Sequence, residues 1–234
     1  MMIETRIEDL RDLQGPPDAD AVVVIDVLRA FSTAAVALGR GAVEIYPVLD
    51  VEEAFGRSAR DPDLILMGET DCRPVPGFDL GNSPVAADAF PFAGRRAVQR
   101  TTAGTRGLVC CRDARSLWAA SFLVGSATAD ALRVSGAKRV AFVITGTVHY
   151  GSADDDLACA EWMAELVRGN RPPVGPFLDR VRTSVAAATF LDPSTPLHAP
   201  ADVDFCARAD IFNFPMQAQA GHESLVLRAC VPVA

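Results

Sequence analysis

The sequence predicts an α/β fold: a three-layer α/β/α sandwich around a mixed, largely parallel sheet. Two observations carry this. Short β-branched runs alternate with helical segments over most of the chain, the pattern of strands joined by crossover helices. Ala21 to Ile25, AVVVI, is apolar at every position, as a strand covered on both faces must be. The chain has 234 residues and half are hydrophobic, enough for a core without metals or disulfides. One domain spanning 1–234 is expected.

The elements follow in order. After the Ala21–Ile25 strand, Phe31 to Leu38 reads as a helix ended by Gly39 or Gly41. Glu44 to Val48 is the second strand. Asp50 with Glu53 makes a capping-box-like start for the next helix. Leu64 to Met67 is the third strand and Arg96 to Gln99 the fourth, with Gly104 to Cys111 helical. Leu117 to Phe122 reads as a strand, Ala127 to Val134 as a helix and Arg139 to Ile144 as a strand. Asp154 to Val167 is a helix, with Leu157, Ala160, Met163, Ala164 and Val167 at helical spacing. Phe177 to Phe190 reads as one further helix. The tail from Pro200 mixes a short helix with edge strands at Ile211 to Phe214 and Leu225 to Cys230.

Composition narrows the function. The net charge of −8 argues against nucleic acid as a partner. It leaves room for a small anionic substrate, since local arginines or a bound cation can dominate a pocket. No apolar run reaches the roughly 18 residues of a membrane span. The charged start MMIETRIEDLRD lacks a signal-peptide core, so a cytoplasmic protein is expected. Lys138 is the sole lysine and enters a strand, the wrong setting for Schiff-base or phosphate-loop chemistry. The six cysteines form no CxxC pair and read as free thiols.

The stretch Gly68 to Pro84, GETDCRPVPGFDLGNSP, spends 17 residues on turn formers and carboxylates after a buried strand. Long loops of this kind usually bind or cover something, and α/β proteins place ligands beyond strand ends. Its acids, Glu69, Asp71 and Asp79, either join an acidic, metal-dependent site or merely cap turns. Asp26 ends the first strand, with Arg29 three residues later. That pair suits a reacting carboxylate beside a guanidinium that clamps phosphate or sulfonate; the plainer alternative is a strand-end Asp capping the next helix. Arg100-Thr101-Thr102-Ala103-Gly104-Thr105-Arg106 lies between a strand and a helix, an oxyanion cradle or an ordinary Thr-capped helix. Asp154, Asp155 and Asp156 open a helix, where three acids either favour the dipole or offer hard oxygen ligands to Mg²⁺. Ser126 is a helix cap or a weak anion ligand, and His149 beside Tyr150 is a candidate proton donor.

Four segments, VVVIDVLRAFSTA, GFDLGNSP, RTTAGTRG and the DDDLACA helix start, together resemble the 2-phosphosulfolactate phosphatase family. The tail PADVDFCARADIFNFP is similar as well, so the resemblance spans most of the chain. It implies the three-layer fold and Mg²⁺-dependent hydrolysis of 2-phosphosulfolactate to sulfolactate and phosphate, a step of coenzyme M synthesis. The matching positions are Asp26, Arg29, Glu69, Asp79, Asn82, Thr101, Thr102, Gly104 and Asp156. On this reading Asp26 and Arg29 are catalytic. Asn82, Arg100, Thr101, Thr102, Gly104, Thr105 and Arg106 bind substrate and phosphate. Asp26, Glu69, Asp79 and Asp156 supply the Mg²⁺ ligands. Attack by Asp26 and attack by water both stay open. The partner is a small phosphorylated anion, and a homodimer is the expectation for a family of this type. Two departures stand out. Ala103 replaces the asparagine of a TTNGT motif, and the GSATAD turn lacks another. They point to a different phosphorylated 2-hydroxy acid as an alternative substrate. A non-catalytic Mg²⁺/anion-binding protein is the remaining alternative.

Overall fold

The computed structural model describes residues 2–146, 153–221 and 224–230. His149 and Tyr150 lie outside the described residues. Strands and helices alternate as expected. The strands are β1 (Glu4–Asp9), β2 (Ala21–Ile25), β3 (Glu44–Val48), β4 (Ile65–Thr70), β5 (Arg73–Pro74), β6 (Arg96–Arg100), β7 (Leu117–Ala120), β8 (Arg139–Ile144), β9 (Met216–Ala220) and β10 (Leu225–Ala229). The helices are α1 (Ala30–Gly39), α2 (Val51–Arg60), α3 (Pro84–Asp88), α4 (Gly104–Cys110), α5 (Gly125–Val134), α6 (Asp154–Arg168), α7 (Gly175–Thr183), α8 (Val185–Leu191) and α9 (Pro200–Cys206).

The strands form one mixed sheet in the order β1-β8-β2-β7-β9-β10-β3-β6-β4-β5. The group β1-β8-β2-β7 is parallel throughout, and so is β3-β6-β4. The β9–β10 hairpin joins the two groups by antiparallel pairing with β7 on one side and β3 on the other. The C-terminal strands are therefore central, not edge strands as the sequence reading placed them. The segment Ile211 to Phe214 is not a strand; the chain enters the sheet at Met216.

Helices flank this sheet. α6 packs on β1, β8 and β2; α5 packs on β7 and α6; α2 packs on β3, β4 and β6; α1 and α4 touch both strand groups. β2 is buried at all five positions. α1 is buried at nine of its ten, because AFSTAAVALG carries no charged face to turn outward. A smaller cluster of Val48, Ala54, Leu64, Leu66 and Val98 fills the space beneath α2. The helix expected over Phe177 to Phe190 is two: extended Ser184 ends α7 and caps α8 by accepting from the Ala187 N–H at 3.0 Å. Asp50 begins α2 with no side-chain cap bond. No disulfide joins the six cysteines, and no helix among the described residues is long and apolar enough to cross a membrane.

Candidate active site

A pocket opens where the carboxyl ends of β2, β4 and β6 meet. Asp26, Leu28, Arg29, Glu69, Asp71, Cys72, Asn82, Thr102, Ala103 and Phe190 line it. Sequence reasoning named five of these as site residues: Asp26, Arg29, Glu69, Asn82 and Thr102.

Asp26 sits where β2 turns into α1. Its Oδ1 accepts the Ala30 N–H at 2.9 Å, and the side chain is buried. Gly104 packs directly over it: a Cβ there would stand 2.9 Å from Asp26 Oδ2 and 2.7 Å from the Ala30 Cβ. Burial pushes the Asp26 carboxyl up to about 7, and the negative charge of Asp156 adds to the shift. Asp155 and Asp156 are also buried and held well above the usual carboxylate range, by burial first and by neighbouring aspartates second. Three carboxyl groups are thus gathered where positive charge is scarce.

Asp156 is fully engaged by the fold. Its Oδ1 accepts the Val27 N–H at 2.8 Å, and its Oδ2 accepts from the Thr145 and Gly146 amides and the Thr145 hydroxyl. It pins the first turn of α6 to the ends of β2 and β8. Asp154 turns away to Arg180 at 3.0 Å.

Arg29 is buried and lines the pocket; the Leu28–Arg29 peptide is cis. Its Nη1 donates to Asp202 Oδ2 at 2.6 Å, and its guanidinium lies 4.2 Å from the centre of the Phe190 ring. Among the described residues its buried Nε has no hydrogen-bond partner, and neither has the buried Asn82 Oδ1. A native fold seldom leaves such atoms unpaired unless a ligand, ion or water completes them.

Glu69 organises the pocket's other wall. Its Oε1 accepts the Thr102 N–H at 2.6 Å, and its Oε2 accepts the Cys72 N–H at 2.5 Å and the Thr102 hydroxyl at 3.1 Å. Asp71 and Cys72 both adopt positive φ, and Asp71 N–H donates to Thr102 Oγ1 at 2.9 Å. Gly68 allows β4 and β6 to meet here, since its Cβ would fall 1.8 Å from the Arg100 carbonyl oxygen.

The remaining predicted residues stand outside the lining. Arg100 donates to the Leu49 and Glu69 carbonyls at 3.1 and 2.7 Å. Thr101 and Thr105 bond each other's backbone at the start of α4. Arg106 is exposed. Asp79 accepts the Leu66 N–H at 2.8 Å on the edge of β4. Ser126 bonds Asp210. Sequence reasoning missed Asp202 and Phe190, and read Asp155 with its neighbours as either a first-turn acid or an oxygen ligand for Mg²⁺. Asp202 had a faint signal, lying in the PADVDFC segment of the tail.

The family profile described as 2-phosphosulpholactate phosphatase matches residues 7–189. The chain belongs to that family. A probable 2-phosphosulfolactate phosphatase of Bacillus subtilis is 32% identical over 206 residues, covering 88% of this chain and 90% of the relative. Proteins with the same name from Prochlorococcus marinus (32% over 178 residues, 75% and 73% covered) and Deinococcus radiodurans (36% over 165 residues, 69% and 68%) are also similar. The matched region contains every pocket residue except Phe190, which lies one position beyond it. Asp202 also lies outside it. The family is one of phosphoric monoester hydrolases.

Proposed function

We propose that this phosphatase hydrolyses 2-phosphosulfolactate to sulfolactate and phosphate with the help of Mg²⁺. The observation that carries the reading is the pair of buried, unpartnered polar atoms, Arg29 Nε and Asn82 Oδ1, on residues lining the same pocket as Asp26. One is a cationic donor suited to a phosphate or sulfonate oxygen. The other is a hard oxygen, or a second donor if the amide is turned over.

The donor chemistry fits a magnesium ion. Asp26, Glu69 and Asp71 bring carboxylates to the lining, while among the described residues Arg29 is its one cationic side chain and already pairs with Asp202. A multiply charged phosphate entering this acidic pocket needs a counter-charge. Among the described residues no three His, Cys, Asp or Glu side chains form a ready metal cluster. That suits Mg²⁺, which takes one or two carboxylates and completes its shell with water and substrate oxygens. Asp26 is the first candidate ligand and Asn82 the second, because Glu69 and Asp156 already spend both carboxylate oxygens on the fold. When bound, the ion neutralises phosphate charge and assists the oxygens that attack and leave.

The chain's own residues do the rest. Arg29 holds an anionic group of the substrate, and its stacking on Phe190 fixes the guanidinium plane. Glu69 keeps the 71–72 turn and Thr102 in place, so the pocket wall is built before substrate arrives. Leu28, Ala103 and Phe190 give the lining an apolar portion that limits water around the reacting ester.

Ala103 supports a second reading for the substrate. It places a methyl group in the pocket lining where an asparagine amide was expected. A lost hydrogen-bonding group weakens selection for a polar substituent, which favours a related phosphorylated 2-hydroxy acid.

The test is phosphate release from 2-phosphosulfolactate and from a panel of phosphorylated 2-hydroxy acids, with Mg²⁺ and with EDTA, for the native enzyme and Asp26→Asn. Mg²⁺-dependent release abolished by the substitution is expected. Release that persists in EDTA overturns the metal assignment, and silence on every substrate from folded protein overturns the hydrolytic one.

A further inference from the structure

The α9 carboxylate Asp202 is not in the matched family region and is not one of the residues the sequence motifs pointed to. It is 3% exposed, and its two oxygens bond the pocket-lining Arg29 and the start of α3 beside Asn82. Oδ2 accepts from Arg29 Nη1 at 2.6 Å. Oδ1 accepts the Ser83 hydroxyl at 2.6 Å and the Val85 N–H at 3.3 Å. Ser83 also caps α3 by accepting from the Ala86 N–H at 3.1 Å, and it follows Asn82 directly. One carboxylate thus joins the two residues that hold the unpartnered atoms: Arg29 by a direct ion pair, Asn82 through its neighbour Ser83.

We propose that Asp202 is the positioning residue of the anion subsite, acting through Arg29. A guanidinium carries five donors in a rigid fork, so fixing one end aims the other. With Nη1 held by Asp202 and the guanidinium packed over Phe190, the buried Nε has no hydrogen-bond partner among the described residues. The ligand this edge takes is a tetrahedral oxyanion group, phosphate or sulfonate, whose two oxygens match the fork. The ion pair also offsets the charge of Arg29, so the subsite recognises geometry rather than supplying a large attractive field. Charge neutralisation of the substrate is left to the cation. The tail segment that brings Asp202 thereby completes a site otherwise built from the first 103 residues and Phe190.

This inference rests on the phosphatase reading for its kinetic arm only. The experiment compares native enzyme, Asp202→Asn, Ser83→Ala, Arg29→Ala and the Arg29→Ala/Asp202→Asn double variant. Each is checked for folding by circular dichroism. Two quantities are read: Kd for inorganic phosphate by calorimetry in Mg²⁺, and KM and kcat for 2-phosphosulfolactate. Asp202→Asn keeps the shape of the side chain but makes one of its polar atoms a donor, so Arg29 loses its charged anchor. The expected result is a rise in Kd and KM of about tenfold or more, the scale on which a misaimed positioning group acts. Ser83→Ala shifts both the same way by less. In the Arg29→Ala background, Asp202→Asn changes neither further. An equal effect of Asp202→Asn in both backgrounds overturns the proposal, because it would show a general structural role. Native values of Kd and KM in Asp202→Asn overturn it too, as does native protein that binds no phosphate. If the native enzyme binds phosphate but releases none from any substrate, the phosphatase reading fails, and the Kd comparison still decides the role of Asp202.

Discussion

Gly104 leaves no room for a side chain beside Asp26: a Cβ at position 104 would lie 2.9 Å from the Asp26 carboxylate oxygen and 2.7 Å from the Ala30 methyl. The start of α4 and the end of β2 are therefore in contact through a missing atom. The glycine of the RTTAGTRG motif sets how closely the β6–α4 loop approaches the site.

Gly104→Ala consequently forces either Asp26 or α4 to move. Overpacking of this kind costs about 1–3 kcal/mol. The expected result is a Tm lower by roughly 2–10 °C for a chain of this length, with kcat/KM reduced more than the stability loss alone accounts for, since Asp26 is displaced. Thermal unfolding and steady-state kinetics on the same preparation check both. Native kinetics in a destabilised variant would separate the close packing from the site.

Asp26→Asn changes the pH dependence of stability. Burial holds the native carboxyl at about 7 against an ordinary 3.8. Near and below the ordinary value, both folded and unfolded chains carry the proton. Between there and about 7 the unfolded chain has released it and the folded chain has not, so stability falls as pH rises. Asparagine removes that loss while still accepting the Ala30 N–H. Without divalent cation, the variant is expected to unfold about 10 °C above the native protein at pH 8, with the gap closing toward pH 4. Added Mg²⁺ narrows the gap at pH 8 if the ion binds Asp26. Parallel Tm curves from pH 4 to 8 would show that Asp26 is not the group responsible.

Much of this architecture is written locally. AVVVI announces a doubly covered strand, and the expected α6 differs from the observed Asp154–Arg168 by one residue, with Gly169 at φ 95° closing it. What was not legible depends on distant partners. β1 reads ETRIED, a charged segment that becomes a strand only because β8 pairs with it at the sheet edge. MQAQA looks too polar for a sheet centre, yet β7 and β10 enclose it. The site divides the same way. Asp26, Arg29, Glu69, Asn82 and Thr102 sit in dense local motifs and converge on one pocket. Phe190 lines it, and Asp202 braces it through Arg29, from helices far along the chain, where only the faint tail resemblance around PADVDFC marks Asp202 and nothing marks Phe190. Arg100, Thr101 and Thr105 looked like an anion cradle because Thr and Arg serve loop ties and phosphate equally well; here backbone groups occupy them.

Glu69→Ala opens the pocket wall. The substitution removes the carboxylate that accepts from the Thr102 and Cys72 amides and from the Thr102 hydroxyl. An unsatisfied buried donor costs about 1–3 kcal/mol, and the 71–72 turn, already at positive φ, loses its internal brace. Expected are a lower Tm, faster proteolysis between Thr70 and Arg73, and at least a tenfold loss of kcat/KM. Glu69→Gln, which keeps one acceptor oxygen, recovers part of the stability. Limited proteolysis with mass spectrometry locates the cut. A cut elsewhere, with the turn intact, would place the brace outside Glu69.

Asp79→Ala distinguishes two roles for a residue whose motif, GFDLGNSP, marks it as a metal ligand. Residues 79 and 80 extend the sheet beyond β4: the Asp79 and Leu80 amides donate to the Leu66 carbonyl, the Gly68 amide donates to the Leu80 carbonyl, and Asp79 Oδ2 takes the Leu66 N–H. The carboxylate thus acts as a surrogate strand acceptor on an edge, outside the pocket lining. Losing it should cost about 1 kcal/mol, one net hydrogen bond, and leave the Mg²⁺ concentration for half-activation within about twofold of native, because no ligand has gone. A true ligand behaves differently: its removal raises that concentration by tenfold or more. Mg²⁺ titration of activity in Asp79→Ala, beside its Tm, therefore shows whether the motif aspartate holds the ion or holds the edge of β4 that carries Glu69 to the site.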